Sequence, residues 1–243
     1  MGKIDAIKVL IVVNVILCAV TFQIPGMEGR MFTTLALYFP KNDHFRYWQF
    51  VTNMFMHGGL AHLLFNMYAL WAFGTPLEHV WGRNRFLFFY FLSGIGAGVI
   101  YTLVNYFQFE NIYNELIGLG VSPADIQNLL TSRNPSSSLA DAVGEQRLIN
   151  FSHLYNTPAV GASGAIYGVL VAFGILYPNA KLALIFLPVP IAAKYFIPIL
   201  IGLDLFSGIT GFSIFGGGIG HFAHIGGAII GFLLMWYWRK REQ

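Results

Sequence analysis

Six stretches of at least 12 residues in this 243-residue chain contain no Asp, Glu, Lys or Arg. They cover residues 9–27, 47–77, 86–109, 148–180, 182–193 and 205–238. A helix that crosses a bilayer needs roughly 20 predominantly apolar residues. Once polar ends and turn-forming Gly and Pro are trimmed, the stretches predict six membrane helices, near 9–24, 57–75, 86–107, 161–178, 191–209 and 221–238. We therefore expect an all-α membrane protein with a single domain over 1–243 and outer loops at 25–56 and 108–160.

The composition supports a membrane protein and excludes several other classes. Only 10% of the residues are charged and 56% are hydrophobic, whereas soluble domains average about 25% charged residues. A single cysteine excludes an internal disulfide and a zinc site built from several cysteines. The net charge of +3 is too small and too dispersed to indicate nucleic-acid binding. The sequence implies no cofactor and no metal.

The distribution of basic residues predicts the orientation. Six spans place both termini on one side of the membrane, and cytoplasmic segments of membrane proteins are enriched in Lys and Arg. With the termini inside, the inner segments hold nine such residues and the outer segments hold five. We therefore expect cytoplasmic termini. Short tails and the lack of an Arg-rich presequence favour a bacterial inner membrane, with the site described below facing outward.

Several polar side chains lie within the predicted spans, where each is a functional candidate because burying it in lipid is costly. They include His62 and Asn66 in helix two, Ser163 in helix four and His224 in helix six. Even-numbered helices all enter from the outer side. At 1.5 Å rise per residue, Ser163, His224 and His62 fall at similar shallow depths. His62 and Asn66 are four residues apart and share one helix face.

Glycines at four-residue spacing predict that helices four and six approach each other closely. Gly164 and Gly168 form one face of small residues, and Gly227 and Gly231 form another. Such faces allow helix backbones to come together in a membrane.

Close approach of these helices would bring the Ser163 hydroxyl within reach of the His224 imidazole, which could remove its proton during nucleophilic attack. The Ser163 backbone N–H, His62 and Asn66 could stabilise an oxyanion. Tyr167, one turn below, could stack on the imidazole. The sequence has no carboxylate near His224, so these residues predict a Ser–His dyad and not a triad.

Three segments, in this order, resemble the motifs of rhomboid intramembrane serine proteases. They are His-Leu-Leu-Phe-Asn at 62–66, Gly-Ala-Ser-Gly at 161–164 and Ala-His-Ile-Gly-Gly at 223–227. Residues 74–82 also resemble the family pattern Gly-x-x-x-Glu-x-x-x-Gly. The resemblance covers roughly residues 46–238. It implies a six-helix bundle with a water-filled cavity that opens to the outside.

The resemblance also implies a function and residue roles. Ser163 would be the nucleophile, His224 the general base and acid, and His62 and Asn66 the oxyanion partners. Gly161, Gly164, Gly227 and Tyr167 would support the site. The substrates would be membrane-anchored proteins, such as single-span proteins, cut in or near a membrane segment within the bilayer. One departure is the pair Trp48-Gln49, where many relatives have Trp-Arg.

Other interpretations remain open at this point. Ser163 could be a small packing residue, and His224 could be bonded to a backbone carbonyl. A metal site or transporter could use the imidazoles of His57, His62, His221 and His224. A catalytically silent rhomboid-like protein could bind membrane clients. Asp204 is expected to tie loop or helix ends together, and the oligomeric state is not predicted.

Overall fold

The computed structural model describes residues 5–132, 137–184, 187–212 and 220–241, and about 78% of the structure is helical. The elements in chain order are α1 (Ala6–Gln23), α2 (Met27–Leu35), α3 (Gln49–Thr52), a 3₁₀ turn (Asn53–Phe55), α4 (Leu60–Ala69), a π-helical turn (Leu70–Gly74), α5 (Thr75–Trp81), α6 (Arg83–Gly118), α7 (Pro123–Ser132), α8 (Ser137–Val143), α9 (Glu145–Asn156), α10 (Ser163–Leu176), β1 (Lys181–Leu184), β2 (Leu187–Ala192), α11 (Ala193–Thr210) and α12 (His221–Arg241).

Helix α10 lies at the centre of the bundle and packs against both α6 and α12. Small residues make this possible. A Cβ added at Gly164 would lie 2.7 Å from the Cβ of Ala97, and one added at Gly226 would lie 2.9 Å from the Cβ of Ile100. Carbon atoms of separate side chains do not approach so closely. The three helices are therefore nearer to one another than larger residues would permit.

The segment 74–82 holds the start of α1. Gly74 leaves room for the Ile7 side chain, since a Cβ there would lie 2.6 Å from its Cδ1. The Glu78 carboxylate accepts hydrogen bonds from the backbone N–H groups of Ala6 (2.6 Å) and Ile7 (3.1 Å). The first N–H groups of a helix have no partner within that helix, and an acidic side chain can supply one. Gly82, with φ +76°, ends α5.

The second helix differs from the one expected near 57–75. Residues 56–59 are not helical, α4 begins at Leu60, and helical structure continues through the π-helical turn to Trp81. Pro76 suggested an end near residue 75 because proline lacks a backbone N–H and disrupts the preceding turn. The wider π-helical turn directly before α5 accommodates Pro76 near the start of that helix.

The third helix is also longer than predicted. Helix α6 has 36 residues, so 108–118 continue a helix and do not form a loop. Glu110 and Glu115 mark where this helix leaves the apolar region, and they pair with Lys41 and Arg147. Charge therefore signalled a change of surroundings and not a helix end.

The rest of the expected outer loop 108–160 contains α7, α8 and α9. Phe109, Leu116, Phe151 and their neighbours form a separate small core there. Residues 133–136 of the segment lie outside the described residues. The expected loop 25–56 likewise contains α2, α3 and the 3₁₀ turn.

The fold is nearly all-α, as expected, and it also includes a short β-hairpin. Strands β1 and β2 pair antiparallel, with Lys181 opposite Ala192 and Leu182 opposite Ile191. Helix five consequently begins at Ala193 instead of near residue 191. The residue before a proline favours extended conformations. Pro188 and Pro190 therefore favour extended backbone at residues 187 and 189, within β2.

Three of the described helices are long and apolar enough to cross a membrane: α1, α6 and α11. Helix α10 is a shorter apolar helix. Its 14 residues span about 21 Å, less than the roughly 30 Å hydrocarbon core of a bilayer. The helix begins inside the protein, because Ala162, directly before it, and Ala165, in its first turn, are buried. The first residue of α10, Ser163, is thereby placed within the bundle.

Candidate active site

The structure brings Ser163 and His224 into hydrogen-bond contact. The distance from Ser163 Oγ to His224 Nε2 is 2.9 Å. Ser163 is the first residue of α10, and His224 lies in the first turn of α12. The two residues are 61 positions apart in the chain, so their contact depends on how these helices pack.

Glycines bring α10 and α12 together at this level. A Cβ at Gly227 would lie 1.8 Å from the carbonyl oxygen of Gly164, and one at Gly231 would lie 2.5 Å from the Cα of Gly168. Backbone therefore packs directly against backbone over one full turn. This close packing allows Ser163 and His224, which lie on different helices, to form a hydrogen bond.

The segment before α10 determines where Ser163 sits. Leu37 and Ala159 form a two-way backbone pair, with N···O distances of 2.9 and 2.8 Å. Two residues later, the Gly161 N–H donates to the Asn53 carbonyl at 3.0 Å. Both bonds attach this segment to residues within 25–56. The start of α10 is therefore held by these residues as well as by the bundle.

Tyr167 stacks on the His224 ring, with ring centroids 4.2 Å apart and planes 11° apart. It lies one turn after Ser163 on α10, so the same helix supplies the hydroxyl and the stacking surface. The ring limits the orientations available to the imidazole. The Tyr167 hydroxyl donates a hydrogen bond to Asp204 Oδ2 on α11.

His62 lies beside Gly161, which adopts a φ of +123° that favours glycine. A Cβ at Gly161 would lie 2.9 Å from His62 Nε2 and 3.5 Å from Ser163 Oγ. Both polar groups therefore border the same small space. The Gly58 N–H donates to His62 Nδ1 at 3.3 Å, so the ring proton belongs on Nε2. That N–H is directed to the side where an oxyanion donor would be needed.

Asn66 is buried on α4, and its Nδ2 donates to the His62 carbonyl at 2.8 Å. An amide nitrogen carries two N–H groups, so this bond uses one of them. His57 is also buried, and its ring packs edge-on against His62 with centroids 5.1 Å apart. Among the described residues, no group of three or more His, Cys, Asp or Glu side chains could hold a metal ion.

Asp204 is the residue that the sequence analysis left out of the site. Its carboxylate lies 3.2 Å from His224 Nδ1 and 2.6 Å from His221 Nδ1, both through Oδ1. The sequence analysis found no carboxylate near His224 because it considered proximity along the chain alone. Asp204 is 20 residues away, on a neighbouring helix. An acidic residue between two charge-free stretches was the signal that could have revealed it.

Comparison with known proteins identifies the family. The rhomboid domain model matches residues 44–124 and 137–241, which is most of the chain. The chain belongs to the rhomboid family. The resemblance inferred from three short motifs is confirmed, and the protein is an integral membrane protein.

Curated rhomboid relatives are about 30% identical to the chain. Presenilin-associated rhomboid-like protein A, mitochondrial, of Danio rerio is 30% identical over 241 residues, covering 94% of this chain and 48% of the relative. Rhomboid protein 1, mitochondrial, of Saccharomyces cerevisiae is 30% identical over 78% of this chain and 41% of its own length. Rhomboid protease AarA of Providencia stuartii is 28% identical over 77% of this chain and 54% of its own length. The chain thus spans about half or less of these relatives.

Gln49 stands where the family resemblance led us to expect an arginine, and the structure shows what the glutamine does. Its Oε1 accepts the N–H groups of Tyr38 (3.3 Å) and Arg46 (3.0 Å), and its Nε2 donates to the carbonyl of His44 at 2.8 Å. The neighbouring Trp48 Nε1 donates to the Thr34 carbonyl at 2.9 Å. Gln49 is fully buried, and its hydrogen bonds to backbone groups hold the segment 25–56 together.

Proposed function

We propose that this rhomboid is an intramembrane serine endopeptidase that hydrolyses peptide bonds in or near the membrane segments of membrane-anchored proteins. The observation that carries the proposal is the 2.9 Å contact between Ser163 Oγ and His224 Nε2. A serine is a weak nucleophile on its own and needs an adjacent base. Family membership and the similarity to a relative named as a rhomboid protease support the same activity.

In this mechanism Ser163 Oγ attacks the substrate carbonyl while His224 Nε2 takes the hydroxyl proton. The developing oxyanion accepts hydrogen bonds from His62 Nε2–H, the Ser163 backbone N–H and the Asn66 amide. Collapse of the tetrahedral intermediate breaks the peptide bond, and His224 returns the proton to the leaving amine. Water, deprotonated by His224, then hydrolyses the acyl-enzyme and regenerates the hydroxyl.

A substrate helix must unwind locally, because its carbonyl groups are engaged in helical hydrogen bonds. We expect helix-breaking or small residues near the outer end of the substrate span to favour cleavage. Ser163 begins a short helix whose first turn is buried, which requires the scissile bond to enter the bundle. We propose that the substrate approaches laterally beside α4 and α11.

The proposed arrangement is one domain with six spans, formed by α1, α4 with α5, α6, α10, α11 and α12, and with both termini cytoplasmic. The excess of basic residues on the inner segments supports this orientation. Cys18 is the only cysteine, so a Cys18→Ser background allows cysteines to be introduced singly. Those in 25–56 should react with an impermeant maleimide from outside, and those after α12 should not.

A bacterial inner membrane with an outward-facing site is the location that we propose. The relative from Providencia stuartii supports it, although the other two relatives named above are mitochondrial. Fractionation of the source cells, with the protein recovered in the inner membrane, is the measurement that tests this location.

The proposed activity is tested by reconstitution in liposomes with a panel of single-span membrane substrates. Wild type should cleave at least one of them within or near its span, and Ser163→Ala should cleave none. A fluorophosphonate should label wild type and not Ser163→Ala. Ser152→Ala is the matched control and should be labelled normally, since Ser152 is a buried serine on α9 beside Asn156, away from Ser163. Folded wild type that neither cleaves nor labels would refute the protease and leave a client-binding protein.

A further inference from the structure

The Asp204 carboxylate has more hydrogen-bond donors around it than a link between helix ends requires. The Tyr167 hydroxyl donates to Oδ2, and the Nδ1 atoms of His221 and His224 face Oδ1 at 2.6 and 3.2 Å. The Asp204 side chain is only 5% exposed. Three donors directed at two oxygens match a carboxylate that acts purely as an acceptor. His224 therefore faces an acceptor at Nδ1 and a hydroxyl at Nε2.

These contacts determine which nitrogen of His224 carries the proton. A neutral imidazole has one N–H and one acceptor nitrogen. A carboxylate beside Nδ1 requires the N–H there, which leaves the Nε2 lone pair for the Ser163 hydroxyl. We propose that Asp204 is a positioning residue that sets the tautomer and orientation of His224. This inference rests on the proposed function and adds a third member to the expected pair of Ser163 and His224.

Asp204 would also stabilise the imidazolium that forms when His224 takes the serine proton. The carboxylate lies on the side of the ring opposite Ser163, so it does not compete for the substrate. Tyr167 contributes twice, since its ring stacks on the imidazole and its hydroxyl holds Asp204 Oδ2. The serine, the imidazole and the carboxylate thus come from α10, α12 and α11, respectively.

If Asp204 has only a structural role, its variants should behave differently from those of a positioning residue. In that role Asp204 only links α11 to α10 and α12, and its closer contact with His221 would matter most. Asp204→Asn preserves size and can still bond to Tyr167, so it should then be the milder change. Asp204→Glu preserves charge but adds a methylene to a buried position, which is destabilising in a packed site, so it should then be the more harmful change.

The experiment measures kcat and KM for a cleaved single-span substrate in liposomes, together with the fluorophosphonate labelling rate of the folded fraction. If Asp204 positions His224, Asp204→Asn should lower kcat and the labelling rate by about tenfold or more, with KM changed by less than about threefold. An asparagine N–H facing Nδ1 favours the wrong tautomer, a substitution that greatly reduces kcat in serine proteases with a triad. Asp204→Glu should retain more activity than Asp204→Asn.

His221→Phe is the control, because it removes the other Oδ1 contact without changing the group that faces His224. It should lower thermal stability, because it removes this contact, while keeping kcat within about threefold of wild type. The inference is overturned if Asp204→Asn keeps wild-type kcat, if Asp204→Glu is the weaker enzyme, or if His221→Phe loses kcat equally. Wild type and Ser163→Ala are run in the same assay. An inert wild type refutes the protease itself, whereas active wild type with active Asp204→Asn refutes only the positioning role.

Discussion

Replacing Gly227 by alanine should separate the serine from the histidine without changing either. The added Cβ would lie 1.8 Å from the Gly164 carbonyl oxygen. Cβ contacts below 3.0 Å essentially do not occur, so α10 and α12 must move apart by about 1.2 Å. The Ser163–His224 contact is 2.9 Å and reaches the 3.5 Å limit of a hydrogen bond well within that movement. A misplacement of about 1 Å can cost on the order of 10²-fold in rate.

The assay is the fluorophosphonate labelling rate in detergent, measured beside thermal unfolding. We expect Gly227→Ala to label about 10²-fold more slowly and to lose about 1–3 kcal/mol of stability, the usual cost of overpacking. Gly202→Ala is the matched control, since Gly202 is exposed in the middle of α11 and a Cβ there would contact nothing within 4 Å. Wild-type labelling by folded Gly227→Ala would show that close helix packing does not hold the two residues together.

Three further predictions concern single positions. Asn66→Ala should lower kcat by about 10²–10³-fold and leave detectable cleavage, as loss of one oxyanion donor does; unchanged kcat would remove Asn66 from the oxyanion site. Gly161→Ala places a Cβ 2.9 Å from His62 Nε2 on a backbone with φ +123°, so labelling should slow, and unaltered labelling would contradict the role of this space. Glu78→Gln should lower stability by about 1 kcal/mol in thermal unfolding, because it weakens the bonds that cap the start of α1. It should leave kcat unchanged, since the described hydrogen bonds of the Glu78 side chain go to Ala6 and Ile7 and to no residue of the site.

The sequence was sufficient for the membrane class, the family and the residues proposed for catalysis. With 56% hydrophobic and only 10% charged residues, the chain has too few charged side chains to cover a soluble surface. Glycine spacing indicated the helix pair that packs closely, and the structure brings Ser163 and His224 together across it. These signals are local, since each can be identified from residues within one or two turns.

Element ends depended on the surroundings of the chain. Helix α6 continues to Gly118 because residues beyond the apolar stretch pack against α7 and α9. Pro76 does not end the second helix, because a π-helical turn precedes α5. Charged residues and prolines predict where the environment or the hydrogen-bond pattern changes. A helix can nevertheless continue through such a position, for example by forming a π-helical turn.

Only the tertiary structure decided that a carboxylate faces His224. Asp204 is 20 residues from His224 along the chain and lies beside it because α11 and α12 pack together. Hydropathy and spacing describe single helices, whereas the neighbours of a buried side chain are set by which helices meet and at what rotation. The sequence by itself determined which groups are available for chemistry. The packing of the helices determined which of those groups touch.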